Sequence, residues 1–165
     1  PTLNKEFVVN NMPPPPPYKQ VDLCQVAKST FRFPSNKLEY IARTLGLGSK
    51  TKHEGHELWV KCMAGEAEAW GRMEEYNRND VVLLESVYER MRPWIRLHPN
   101  HGLYDEPGLP VCTNCGSGDL MRRGYARTTV AKYARYQCRA CGTWVRGTDH
   151  ELPKEDRLNI MRRIA

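Results

Sequence analysis

Four of the six cysteines stand in two C-x-x-C pairs, Cys112-Thr113-Asn114-Cys115 and Cys138-Arg139-Ala140-Cys141, separated by 22 residues. Each pair is followed directly by glycine, Gly116 and Gly142. A metal-binding knuckle needs both sulfurs of a pair on one tight turn, and a glycine after the second cysteine lets the backbone fold back beneath them. Two such knuckles on adjacent hairpins predict tetrahedral coordination by four thiolates, a donor set that suits zinc. With all four positions filled by sulfur the Zn²⁺ has a structural role. It substitutes for the hydrophobic core that so short a segment cannot build.

The surface around these cysteines has a chemistry of its own. Between Pro110 and Thr148, seven basic residues (Arg122, Arg123, Arg127, Lys132, Arg135, Arg139 and Arg146) face Asp119 alone, so this segment carries the chain's whole net charge of +6. Tyr125, Tyr133, Tyr136 and Trp144 interleave with them. Guanidinium groups pair with phosphates and aromatic faces stack on unpaired bases, so all eleven are candidate nucleic-acid contacts. Packing of the small module accounts for one or two of the aromatics, but not for the charge.

A third set of residues lies upstream. In Met73-Glu74-Glu75-Tyr76-Asn77-Arg78-Asn79-Asp80, steps of three and four place Met73, Tyr76, Asp80, Leu84, Val87 and Met91 on one helical face. A carboxylate in an inward stripe is costly unless a cation or hydrogen-bond donors meet it. Spacing alone leaves a second reading open, in which Asp80 is the N-cap of a helix starting at Val81 and Tyr76 is ordinary core.

These residues need elements to hold them. Leu3, Phe7 and Val8 are spaced as the end of a helix; Pro13–Pro17 is extended polyproline; Tyr18–Val26 reads as a short strand. Ser35 is the expected N-cap of a helix with Leu38, Ile41, Ala42 and Leu45 on one face, stopped by Gly46 and Gly48. A short helix spans Leu58–Met63, and a long one runs from Glu66 to Met91 and breaks at Pro93. The predicted organisation is an α/β part over residues 1–95, a linker over 96–110, a β zinc ribbon over 111–148 and a charged, helical tail over 149–165.

Tyr76-x-x-x-Asp80 resembles the third exonuclease motif of the tyrosine-bearing branch of the DEDD 3′–5′ exonucleases, whose fold is ribonuclease H-like. FPSNKLEYIARTLGLG, ELW and AWGRMEEYNRNDVVLLESVYERMRPW, followed by the C-x-x-C-G ribbon, are similar in order to phage-type members of that group with C-terminal zinc ribbons. The resemblance implies the C-terminal portion of a ribonuclease H-like domain and two-metal hydrolysis of phosphodiesters. It makes Asp80 a ligand of Mg²⁺ or Mn²⁺, makes Tyr76 the group that orients the attacking water, and favours DNA over RNA as the partner. Of the family's four carboxylates only Asp80 is present; Glu6, Asp22 and Glu39 match no ligand position. The first residue is Pro1, so the expectation is a segment of a longer protein that is inactive until a missing N-terminal portion or a partner chain supplies the others.

Composition narrows the rest. No apolar run has the length of a membrane span and no signal peptide opens the chain, which predicts a reducing cytoplasm, that of a bacterial host for a phage protein. Cys24 and Cys62 read as buried packing thiols, and Trp59, Trp70 and Trp94 as core. His53-Glu54-Gly55-His56 reads as a solvated loop, because H-x-x-H does not set both rings on one helical face; with Lys50 and Lys52 it is placed to meet substrate phosphate. Nuclease, non-catalytic nucleic-acid binder and protein-docking adaptor are the three functions this pattern allows.

Overall fold

The computed structural model describes residues 2–51, 54–104, 108–162 and 164; Lys52 and His53 of the histidine loop lie outside them. Its spine is α5, Ala67–Met91, which the other long elements join at two levels. Helix α4 (His56–Met63) packs on its N-terminal half, where Leu58, Cys62, Ala69 and Met73 close a small core with Tyr76 against it. Helices α2 (Leu23–Thr30) and α3 (Leu38–Thr44) pack on its C-terminal half around Ala27, Ile41, Ala42, Leu83, Val87 and Met91. Helix α1 (Thr2–Val9) precedes the proline run. Tyr76 and Asp80 thus sit where the two cores meet.

The helices stop for a shared local reason. After α1, α3 and α4 the chain turns through a left-handed residue, Asn11, Gly46 and Gly65. The next amide then returns to the last turn: Met12 to the Phe7 carbonyl at 2.8 Å, Leu47 to Ala42 at 2.9 Å and Glu66 to Lys61 at 3.2 Å. This is the Schellman closure, which satisfies orphan carbonyls and favours residues without a Cβ penalty.

Several local expectations are corrected. Tyr18–Val26 is not a strand: Asp22 accepts a hydrogen bond from the Gln25 amide at 3.1 Å and caps α2, so the apolar spacing there belongs to a helix. Helix α3 begins after Lys37, and Ser35 Oγ accepts only a 3.4 Å contact from the Lys37 amide. Leu83, not Leu84, continues the stripe, at 5 % against 46 % exposed. Cys24 is exposed while Cys62 is buried, and Trp59, Trp70 and Trp94 are exposed rather than core. The tail helix α6 is short, Lys154–Leu158.

All strands of the described residues lie in one antiparallel sheet ordered β1 (Leu120–Arg127), β2 (Lys132–Cys138) and β3 (Trp144–His150), so the chain is mixed helix and sheet, with helices alone among the described residues before Pro93. Short 3₁₀ turns at Arg92–Trp94 and His101–Leu103 lead to this module. The His101 amide donates to the Thr113 carbonyl at 2.8 Å, and His98 stacks on Tyr88 of α5. No helix among the described residues is long and apolar enough to cross a membrane.

Candidate metal centre and nucleic-acid interface

The two knuckles are built alike. Gly116 and Gly142 both take positive φ, and their amides reach back to the Cys112 and Cys138 carbonyls at 2.9 Å. The Cys112 and Cys138 amides close the same loops on the Ser117 and Thr143 carbonyls. The second knuckle is tied to the residue before β1, since the Arg139 guanidinium meets Asp119 at 2.7 Å and the Arg139 amide meets the Asp119 carbonyl.

These turns bring Cys112, Cys115, Cys138 and Cys141 together with their sulfurs all within 4.8 Å of one another. The Cys112–Cys141 and Cys115–Cys138 sulfur separations are 3.7 Å. A disulfide needs about 2.05 Å, whereas a tetrahedron of thiolates around zinc at about 2.3 Å has edges of about 3.8 Å. The donor set therefore fits a tetrahedral metal ion such as zinc. Asn114 Nδ2 points at Cys141 Sγ at 3.9 Å and donates to Thr143 Oγ1 at 2.8 Å, the kind of outer contact that orients a ligand. Without a cation the thiols are forced apart in acidity. Burial pushes Cys115 up to about 12 and raises Cys112; Cys141 comes down to about 6 against the same burial, because the Thr143 hydroxyl and amide and the neighbouring thiols favour its thiolate.

The sheet sorts the basic and aromatic residues onto two faces. Between Arg122 and Tyr125, β1 carries one residue more than β2, with Gly124 left-handed in the bulge. That extra residue keeps Arg122 and Tyr125 on the same face, where strict alternation would separate them. On this face Lys132, Arg122 and Arg127 surround the Tyr125 ring at 4.0, 5.4 and 5.9 Å, with Tyr136 alongside on β2. The other face carries Tyr133 under Arg146 at 4.1 Å and Trp144 under Arg135 at 4.9 Å. Arg122 and Arg139 are paired with Glu151 and Asp119. Arg123 is exposed, and its carbonyl accepts from Arg135 Nε at 3.0 Å.

Two cross-strand pairs join like charges: Arg127 faces Lys132 and Arg135 faces Arg146. Like charges directly opposite destabilise an antiparallel pair. No ion pair among the described residues reaches any of the four. Such an arrangement gains most from an external polyanion.

At the junction of the helical cores the structure brings Tyr76 and Asp80 together, one turn apart and in mid-helix, so Asp80 is not a helix cap. The residue that joins them went unassigned in the sequence beyond a general affinity for phosphate. Lys50, on the loop between α3 and α4, bonds Asp80 Oδ2 at 2.5 Å and Tyr76 Oη at 3.1 Å. Its loop is fixed from both sides: the Lys50 amide donates to Glu39 Oε2 at 2.7 Å, and Asn79 Nδ2 reaches the Ser49 carbonyl at 3.4 Å. Glu39, no ligand by motif, is thus a loop anchor. Desolvation pulls the Lys50 ammonium down, but its bonds to Asp80 and Tyr76 outweigh it and hold the group above its ordinary 10.5.

Among the described residues Asp80 is the one carboxylate that meets the Lys50 ammonium, and its Oδ1 is buried with no partner among them. That oxygen is free to take a cation. Yet among the described residues the four cysteines form the one grouping of three or more His, Cys, Asp or Glu side chains close enough for a metal. The described residues do not by themselves make a two-metal site. His56 opens α4 and joins no metal grouping among the described residues.

The long helix α5 thus carries the Tyr76–Asp80 pair, and a sheet with a four-cysteine cluster follows it in the chain. A family model of the RNase_H superfamily matches residues 1–92, and the chain belongs to that superfamily, a family of nuclease-type enzymes. No curated protein and no solved structure matches it.

Proposed function

We propose that the chain is the C-terminal part of a two-metal 3′–5′ exonuclease of the DEDD tyrosine branch, phage-type, whose zinc ribbon grips the nucleic-acid substrate. The observation that carries this reading is the Tyr76–Asp80 pair beside Lys50, within residues that match a nuclease superfamily. Asp80 contributes one ligand to Mg²⁺ or Mn²⁺ and Tyr76 positions the attacking water. The remaining carboxylates come from outside these residues, in the same gene product or a partner chain, and the segment alone is inactive. Zn²⁺ on Cys112, Cys115, Cys138 and Cys141 holds the sheet that presents the arginines, with DNA favoured over RNA.

A second reading, a non-catalytic nucleic-acid-binding ribbon protein, is favoured by the unmatched positive pairs on the sheet alone. Both readings require electrostatic binding, and a protein-docking adaptor does not. Affinity for a labelled single strand is expected to fall linearly with salt on logarithmic axes, with a slope of about −0.7 per phosphate neutralised. Arg127→Ala and Arg146→Ala are each expected to make that slope shallower by about one contact. A salt-independent affinity would contradict an electrostatic grip by the arginines, and absence of any binding would remove nucleic acid as the partner.

A further inference from the structure

Where the 3₁₀ turn after α5 meets the ribbon, a cleft of about 270 Å³ opens between Trp94, Arg96 and His98 on one side and Asn114, Thr143 and Trp144 on the other. Both indoles are 53 % exposed, an unusual setting for two large aromatic rings lining one cleft. Trp94 is held by an edge contact to Phe31 at 5.7 Å, and Trp144 by the Arg135 guanidinium at 4.9 Å. The rings are therefore anchored rather than loose. Asn114, in the cleft wall, is 3 % exposed; its Nδ2 is committed to Thr143, and its Oδ1 is a buried acceptor with no partner among the described residues.

We propose that this cleft takes one unpaired nucleobase of a single strand bound along the ribbon, a subsite that rests on the reading of the ribbon as a nucleic-acid interface. The volume suits one planar ring system and is too small for a duplex; it lies just under the ~300 Å³ at which small-molecule pockets begin. Tryptophan faces stack on any base, since every base has a π-face. Arg96 and Arg135 stand beside the rings where the flanking phosphates would run, and the local field is strongly positive, which selects a polyanion over an apolar peptide. The cleft couples the two halves of the molecule, because one wall belongs to the helical part and the other is built on the knuckles.

The test compares the metal-loaded chain binding a labelled oligothymidylate and an abasic oligomer of equal length at one salt concentration. Wild type is expected to prefer the oligothymidylate by about tenfold or more, the scale of one base–aromatic stack. Trp94→Leu and Trp144→Leu should each cut the preference about tenfold, the worth of one stack, without weakening the abasic complex or changing the salt slope. Trp144→Phe should retain most of it, and Trp59→Leu all of it. Metal content reports folding of each variant; if Trp144→Leu loses its metal, Trp94→Leu and Trp144→Phe decide. Equal affinity of wild type for the two oligomers would overturn the cleft and leave the ribbon reading standing, as would Trp variants that weaken both complexes alike. Absence of any binding would overturn both.

Discussion

Chelation of the metal is expected to unfold residues 111–148 while the helices before them stay folded. The two clusters of buried apolar side chains both belong to the helical part. The ribbon buries only Cys112, Asn114, Ala134 and Cys138, and two of these are sulfur donors. Its three strands carry like-charge pairs across both ladders, so the backbone hydrogen bonds must hold against repulsion. What closes the sheet at one end is the four-sulfur centre. Structural zinc contributes roughly 10–16 kcal/mol of apparent binding energy in zinc-finger peptides, more than this sheet can replace by burial. Cys138→Ser should behave as the chelated protein does, because it removes one buried ligand from the strand end. Two-dimensional NMR of the amides checks the point: the resonances of β1, β2 and β3 are expected to collapse, those of α2, α3 and α5 to persist. A sheet that survives chelation would show that the sulfurs are not what holds it.

Lys50→Met is expected to lower stability by about 2 kcal/mol, somewhat below the 3–5 kcal/mol for breaking a fully buried pair. Asp80 and Lys50 are only 22 % and 30 % exposed at the side chain, and the other Asp80 oxygen already lacks a partner. Removing the ammonium therefore leaves a carboxylate on the inner stripe of α5 with no other cation paired to it among the described residues. Lys50→Met combined with Asp80→Leu should recover most of the loss, since an apolar pair carries no desolvation cost. The pH dependence has a fixed sign. A lysine whose folded-state pKa is raised stabilises fully below its unfolded value, and that contribution is lost as pH rises through the raised value. Denaturation curves of wild type should thus weaken in the alkaline range above 10.5, and those of Lys50→Met should lack this component. Equal stability of wild type and Lys50→Met at neutral pH would contradict the account.

The four-cysteine cluster was legible because its geometry is local: four residues and a glycine specify each turn. The Tyr76–Asp80 pair was legible because a helix converts spacing into adjacency. Lys50 was not, since nothing local links it to a partner thirty residues away; the link exists only once Glu39 and Asn79 pin its loop. The segment around Asp22 misled for the opposite reason. Val21, Leu23 and Cys24 read as strand-like, but one capping bond to Gln25 and burial of Ala27 decide for a helix. Leu84 and Leu83 differ by one residue, about 100° around the axis, which neighbouring helices settle and periodicity does not. The exposed tryptophans reversed a bulk expectation: size favours burial, and the cleft beside the ribbon is where two such rings remain open.

The most direct test is cleavage. The metal-loaded chain is incubated with end-labelled single- and double-stranded substrates in Mg²⁺ or Mn²⁺, beside Asp80→Ala. The account predicts salt-sensitive binding with no release of nucleotides by either protein, because one carboxylate cannot hold two metal ions. Metal-dependent cleavage by wild type that Asp80→Ala abolishes would contradict it, and would mean that other carboxylates of this chain complete the site.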